Sequence, residues 1–301
     1  MARVAGSLSV DPRWPRAGDW PAPTGDPSRD GEIDLALVGL PTFSTSLSAT
    51  GANETPAAVR AALRYYSEFT DRQLTLRFAD FGDAGDPDRN EDAATAFVAR
   101  AAAASRLVVA LGGDNAATVP AALGAWGARV ATAGLITLDA HHDLRDGRSN
   151  GSPVRRLVEA GLDGRRVVQV GIADFANSAD YAARAAEFGI TVIRRNALHS
   201  RPMADVMAEA LEIASGAGGP VHVDFDVDVC DRSVAPACPA SIPGGIAAHE
   251  LRSAVRAATS HAFVESIDFT EVDATADAPD NRTIRLVALC VLEAAAGLAS
   301  R

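Results

Sequence analysis

Runs that are apolar at almost every position alternate along this chain with stretches of helical periodicity. That alternation restricts the fold more than any other feature. DLALVGL (34–40), LTLRFADFGD (74–83), RLVVALGGD (106–114), GLITLDA (134–140), RVVQVGI (166–172), TVIRR (191–195), PVHVDFDVD (220–228) and HAFVESIDFTEVD (261–273) read as strands. Helical patterns fall at 56–69, 91–105, 117–126, 154–160, 203–214, 247–258 and 281–298. A half-solvated strand alternates apolar and polar residues, whereas a strand covered on both faces is continuously apolar. The order therefore predicts an α/β fold with a mostly parallel sheet between two helical layers. Residues 1–31 are rich in Pro, Gly and Asp and read as an irregular arm. Residues 32–301 contain no repeat, low-complexity linker or composition break, and read as a single domain. Chemistry in such a fold is expected at the carboxyl ends of the strands.

Two of those ends are acidic. DAHHD (139–143) follows LITL, and DFDVD (224–228) follows VHV. If the strands continue through these motifs, side-chain alternation places Asp139, His141 and Asp143 on one side, and likewise Asp224, Asp226 and Asp228. Unit charges about 4 Å apart repel by roughly 4 kcal/mol at an effective dielectric near 20, so the cluster requires compensating cations. Oxygen-rich donors with an imidazole suit manganese or a similar divalent ion, whereas thiolates suit zinc. An isolated DxD is compatible with a polar rim or a magnesium-phosphate site, and it is the preceding DAHHD that makes a metal centre the better interpretation. His142 alternates to the opposite face and is expected to pack or hydrogen-bond. His199, His222, His249 and His261 lie outside any motif and read as structural or exposed.

Charge and cysteine content narrow the class. With 28 Lys and Arg against 39 Asp and Glu the net charge is −11, which disfavours nucleic acid or an anionic membrane as partner. The three cysteines, Cys230, Cys238 and Cys290, include no C-x-x-C pair, so a disulfide scaffold is not expected and a core role suits Cys230. No signal-peptide-like run and no stretch of eighteen apolar residues is present, so a cytoplasmic protein is expected.

Read together, LGGDN (111–115), DAHHD (139–143) and DFDVDVCD (224–231) resemble the ureohydrolase family of arginases, agmatinases and formimidoylglutamases. The family's patterns are GGDH, DAHxD and S-x-D-x-D-x-x-D-P in that order, and the similarity covers about residues 34–298. GLP…GANETPAAVRAAL (39–63) and APACPASIPGGI (235–246) are similar to further family segments. The resemblance implies an arginase-like three-layer α/β/α domain around a parallel eight-stranded sheet, assembled as a homo-oligomer, usually a trimer or hexamer. It also implies two Mn2+ ions. Asp139 and Asp226 would bridge them, Asp143 would complete the first site, and His141 with Asp228 the second. A metal-activated water would be the nucleophile. Glu271, in FTEVD, would contact the substrate's amidino or imino nitrogens and, with Asp228, serve catalysis. Asp231 would support the ligands.

Three departures from the family pattern bear on function. Asn115 stands where a metal-binding histidine is usual, so the first site is expected to be weak, differently filled or empty. Asp224 stands where serine is common, and its extra carboxylate is a candidate to compensate. Asn150, in RSNGSPVR, replaces the proton-shuttling histidine of agmatinases, and formimidoylglutamases also lack that histidine; DAHHDLR is similar to their DAHFDLR. These details favour a small-molecule substrate of the formimidoylglutamate type, cleaved to glutamate and formamide. A guanidino-compound hydrolase releasing urea is the alternative, and Asn115 leaves open a catalytically silent relative. Arg145, Arg148, Asn150, Ser152 and Glu271 are the expected substrate contacts, the arginines being either surface residues or carboxylate anchors.

Overall fold

The computed structural model describes residues 10–26 and 31–301. All eight expected strands form: β1 (Ile33–Leu40), β2 (Phe78–Asp83), β3 (Ser105–Gly112), β4 (Gly134–Leu138), β5 (Val167–Ile172), β6 (Thr191–Arg194), β7 (Val221–Asp226) and β8 (Val264–Thr270). They make one sheet in the order β2-β1-β3-β8-β7-β4-β5-β6, and every pairing is parallel. The arginase-like three-layer arrangement is therefore present, with no antiparallel strand among the described residues.

Alternation along each strand divides the core in two. Leu35 and Leu37 of β1 belong to the core that also takes in helices α1 (Thr55–Leu63), α7 (Met203–Ala214), α8 (Ala248–Ser260) and α9 (Arg282–Leu298). Ala36 and Val38 turn to the other face, where α2 (Glu91–Ala104), α3 (Thr118–Trp126), α4 (Pro153–Glu159) and α5 (Ala179–Phe188) lie. A single helical turn, α6 (Arg195–Leu198), follows β6. Local chemistry starts and stops these elements. The Asn90 side chain accepts from Ala93 N–H at the head of α2, and Ser178 does the same for Tyr181 at the head of α5. Gly189, at φ 76°, ends α5 in the left-handed conformation.

The centre of the sheet breaks the apolar rule on one face only. Val223 and Phe225 of β7, with Ile267 and Phe269 of β8, point into the larger core, the two rings stacking at 5.5 Å. Their neighbours His222, Asp224 and Asp226 on β7, and Ser266, Asp268 and Thr270 on β8, face α3 instead, where Trp126 meets His222 edge-on at 6.3 Å. A polar ribbon thus runs under α3 to the carboxyl ends of β7 and β8.

Several boundaries differ from the sequence expectation. The helix expected over 56–69 stops at Leu63, and β2 starts at Phe78 rather than at 74. Helix α5 was not expected: its apolar stripe, Tyr181, Ala185 and Phe188, is short, and only Ala185 is fully buried. β4 ends at Leu138 and β7 at Asp226, before the acidic motifs are complete. Within the expected arm, Ala17 is buried and Trp20 stacks on Phe78 with ring centroids 4.5 Å apart. Residues 1–9 and 27–30 of that arm lie outside the described residues.

Candidate metal centre

The acidic residues converge by turns rather than by strand alternation, which corrects the geometric expectation. After Leu138 the chain leaves the sheet, and Asp143 adopts φ 54°, a left-handed conformation that aspartate tolerates better than most residues. The loop is held to β5 by Asp139 N–H donating to Val170 O and Ala173 N–H to Ala140 O, each at 3.0 Å. At the end of β7, Asp226 Oδ1 accepts from Asp228 N–H at 2.9 Å and closes a 3-10 turn, Val227–Val229, that swings Asp228 inward. Asp228 Oδ1 then accepts from Ala140 N–H at 3.2 Å, tying the two motifs together.

Two donor groups result. The potential ligand atoms of Asp139, His141 and Asp228 lie within 4.8 Å of one another, and so do those of Asp139, Asp143 and Asp226. Asp139 belongs to both. Four carboxylates are buried here, and Asp139 Oδ2 has no hydrogen-bond partner. Burial, then the charge of Asp228, pushes Asp139 up to about 6. Burial and neighbouring carboxylates also raise Asp143 and Asp226 well above the usual range. Burial alone would lower His141, but its contacts with Asp139 and Asp228 raise it to about 12, with Nδ1 3.0 Å from Asp228 Oδ2. Anionic oxygens crowded at this depth, one of them unsatisfied, fit divalent cations of the manganese type.

Asn115 meets this cluster with its nitrogen. Nδ2 donates to Asp143 Oδ2 at 2.6 Å and to Asp226 Oδ2 at 3.2 Å, while Oδ1 accepts from Thr118 Oγ1 at 2.5 Å and lies 3.2 Å from Thr270 Oγ1. Asp224 is in neither donor group. It sits behind the cluster in register with Asp268, and its Oδ1 is 3.3 Å from Thr270 Oγ1. It therefore does not supply the compensating ligand expected from the sequence.

A cavity of about 430 Å3 opens over the cluster. Glu271 forms one wall, buried and at φ 60°, with its N–H held by Gly113 O at 2.9 Å. Holding a non-glycine residue left-handed costs roughly 1–2 kcal/mol, which the surrounding hydrogen bonds offset. Glu271 Oε1 accepts from Asn115 N–H at 2.8 Å and Asn150 Nδ2 at 2.7 Å, and burial pushes its carboxyl up to about 7. The Gly112-Gly113 turn has a packing reason: a Cβ on Gly113 would lie 2.0 Å from Thr42 O. At the cavity mouth, the Arg145 guanidinium lies 6.0 Å from the Tyr181 ring centroid and makes no ion pair among the described residues.

Two expected substrate contacts lie outside the cavity lining. Arg148 pairs with Glu91 at 3.2 Å and donates to Asp88 O at 3.0 Å. Ser152 is buried and closes its own turn, donating to Ser149 O at 2.7 Å. Asp231 orders the following loop by accepting from Ser233 N–H and Gly244 N–H. His142 bonds Gln169 through Nδ1, His222 is buried against Asp268, and Cys230 is a buried thiol pushed by burial up to about 12. Tyr181 and Ser178 reach the cavity from α5, the helix that the sequence concealed. Arg195, buried behind Asp139 and Asp228, carried no sequence signal either.

Comparison with known proteins places this geometry in context. A sequence profile described as Arginase family matches residues 33–297. The formimidoylglutamase of Halalkalibacterium halodurans is 32% identical over 260 residues, covering 81% of each chain. The crystal structure of formimidoylglutamase from Bacillus subtilis superposes with a TM-score of 0.89 at 27% identity, covering 99% of this chain and 96% of that one. A Trypanosoma cruzi formiminoglutamase structure with Mn2+ gives a TM-score of 0.80 at 22% identity, covering 89% and 94%.

Proposed function

Because the chain belongs to the arginase family, we propose that it is a metal-dependent hydrolase of linear amidines that converts N-formimidoylglutamate to glutamate and formamide. The observation that carries this substrate is the polarity of one cavity. Carboxylates and Glu271 line its depth, and an arginine with no acid partner stands at its mouth. An amidine suits the first end and a carboxylate the second. The formimidoylglutamase names of the relatives agree with that pairing.

Asp139, Asp143 and Asp226 would hold a first ion and Asp139, His141 and Asp228 a second, with Asp226 shared between them; manganese is the ion proposed, as in the Trypanosoma cruzi structure. A bound divalent pair supplies a water of lowered pKa and a Lewis acid. The protein's own groups do the rest. Glu271 accepts hydrogen bonds from the terminal nitrogen of the amidine, in the plane already fixed by Asn115 N–H and Asn150 Nδ2. Arg145 binds a glutamyl carboxylate through its guanidinium fork. Water adds to the formimidoyl carbon, giving a tetrahedral carbon with two nitrogens. Glu271 retains the terminal nitrogen, so the C–N bond to glutamate breaks and formamide leaves. Asp228 Oδ2 is the group assigned to take a proton from the attacking water and return it to the departing amine, since residue 150 is not a histidine.

Among the described residues no helix is long and apolar enough to cross a membrane. We also infer a cytoplasmic homo-oligomer, a trimer or hexamer, from the family resemblance. The functional test is turnover of arginine, agmatine, guanidinobutyrate and formimidoylglutamate by the manganese-loaded protein. Turnover of formimidoylglutamate alone is expected. Urea released from any guanidino compound at a comparable rate would assign the chain to that branch instead.

A further inference from the structure

Two of the three departures from the family pattern, Asn115 and Asp224, touch the same hydroxyl. Thr270, the last residue of β8, places Oγ1 3.2 Å from Asn115 Oδ1 and 3.3 Å from Asp224 Oδ1. All three side chains are buried, so no solvent competes for these contacts. A hydroxyl has one proton to donate but two lone pairs to accept with. Thr270 can therefore serve only one of its two acceptors at a time.

That choice decides which end of the Asn115 amide faces the carboxylates. With the proton on Asn115 Oδ1, the amide oxygen is engaged and Nδ2 points at Asp143 and Asp226, 2.6 and 3.2 Å away. An amide NH2 has no lone pair to offer a cation, so in that orientation residue 115 cannot be a ligand. With the proton on Asp224 Oδ1, Thr270 Oγ1 becomes an acceptor. The amide can then turn over, Nδ2 donating to Thr270 and Thr118 and Oδ1 facing the first donor group.

We propose that Asp224 is a positioning residue for the metal centre: by accepting the hydrogen bond of the Thr270 hydroxyl, it lets the Asn115 amide present its oxygen to the first ion. The proposal rests on reading Asn115, which stands where a metal-binding histidine is usual in the family, as a side chain that can serve the first ion. Asp224 itself is held in place by strand register. It pairs with Asp268 across β7 and β8, and Asp268 Oδ2 lies 3.2 Å from His222 Nε2 deeper in the ribbon. The carboxylate is thus fixed under Thr270 and coordinates nothing itself.

The test is Mn2+ binding, by calorimetric titration of the full chain, with thermal unfolding confirming that each variant folds. Asp224→Val, which removes the acceptor, should weaken the first ion by about tenfold, as support residues of metal ligands commonly do. Asp224→Asn keeps an acceptor oxygen under Thr270 and should stay within about threefold of the parent. The decisive background is Asn115→Asp, in which both ends of the side chain are oxygen and no orientation needs selecting. There Asp224→Val should have no effect on the first ion. An equal loss in both backgrounds would mean a merely structural role for Asp224 and would overturn the proposal. An unchanged affinity for Asp224→Val in the parent, with Asn115→Asp altering the first ion, would refute the relay alone. An Asn115→Asp variant with parental stoichiometry and affinity would instead refute the ligand assignment on which the proposal stands.

Discussion

Asp226 does two jobs at the end of β7. Its Oδ2 faces the first donor group, while Oδ1 closes the turn that brings Asp228 to the second. Asp226→Ala should therefore lose both ions. Metal analysis after gel filtration checks this, and two retained manganese ions per chain would contradict it. Arg145 has a separable role. Arg145→Gln removes a charge-assisted contact worth roughly 1.5–3 kcal/mol, so KM for formimidoylglutamate should rise by about 10- to 100-fold with kcat little changed. A fall in kcat at constant KM would place Arg145 in the chemistry rather than in binding. Sequence spacing made the cluster itself legible, since charge repulsion demands a cation wherever four carboxylates converge. The neighbours that orient the ligands were not legible. Thr270 and Thr118 are ordinary residues in sequence, and Asp224 looked like a ligand because it shares the face of Asp226, although it lies one pleat deeper in β7, behind the cluster. Arg148 and Ser152 looked like substrate contacts, but a short loop turns them toward Glu91 and Ser149.

At the scale of elements, continuous apolarity located the six inner strands because they are buried on both faces, and the edge strands β2 and β6, only partly buried, were read from shorter apolar runs. The ends were less visible. Strand pairing stops where side-chain caps take over, as at Asp226, and those caps are read only in three dimensions. Helix α5 escaped because it is short and its stripe of Tyr181, Ala185 and Phe188 is only partly buried. Helices α2 and α3 meet in close contact at Gly124. A Cβ on Gly124 would sit 2.6 Å from Val98 Cβ and 2.7 Å from Thr95 O. Gly124→Ala should cost about 1–3 kcal/mol through overpacking. Gly124 lies toward the far end of α3 from Asn115, so manganese stoichiometry should be preserved. Urea unfolding and metal analysis of the same variant check both halves of this statement, and a loss of metal without a loss of stability would contradict it.

For the whole molecule, the cluster makes stability depend on pH and metal together. Asp139 is raised from 3.8 to about 6 and Glu271 from 4.5 to about 7, burial being the main cause in each case. Each binds its proton more tightly folded than unfolded. Their stabilisation is complete below the ordinary carboxyl range and is lost as pH rises through about 6 to 7. His141, raised from 6.5 to about 12, acts in the same direction above pH 6.5. The metal-stripped protein should thus show a falling Tm from pH 5 to 7.5 (roughly the window in which these carboxyls lose their protons). Saturating manganese should remove or reverse the fall, because metal binding displaces those protons. A stripped protein whose Tm rises over that window would contradict the electrostatic description. The central claim, a site that holds the amidine end at Glu271 and expels the glutamate nitrogen, is tested most directly by proton NMR of the products from formimidoylglutamate. Formamide and free glutamate in equal amounts are predicted, whereas N-formylglutamate with ammonia would contradict the proposed orientation of the substrate.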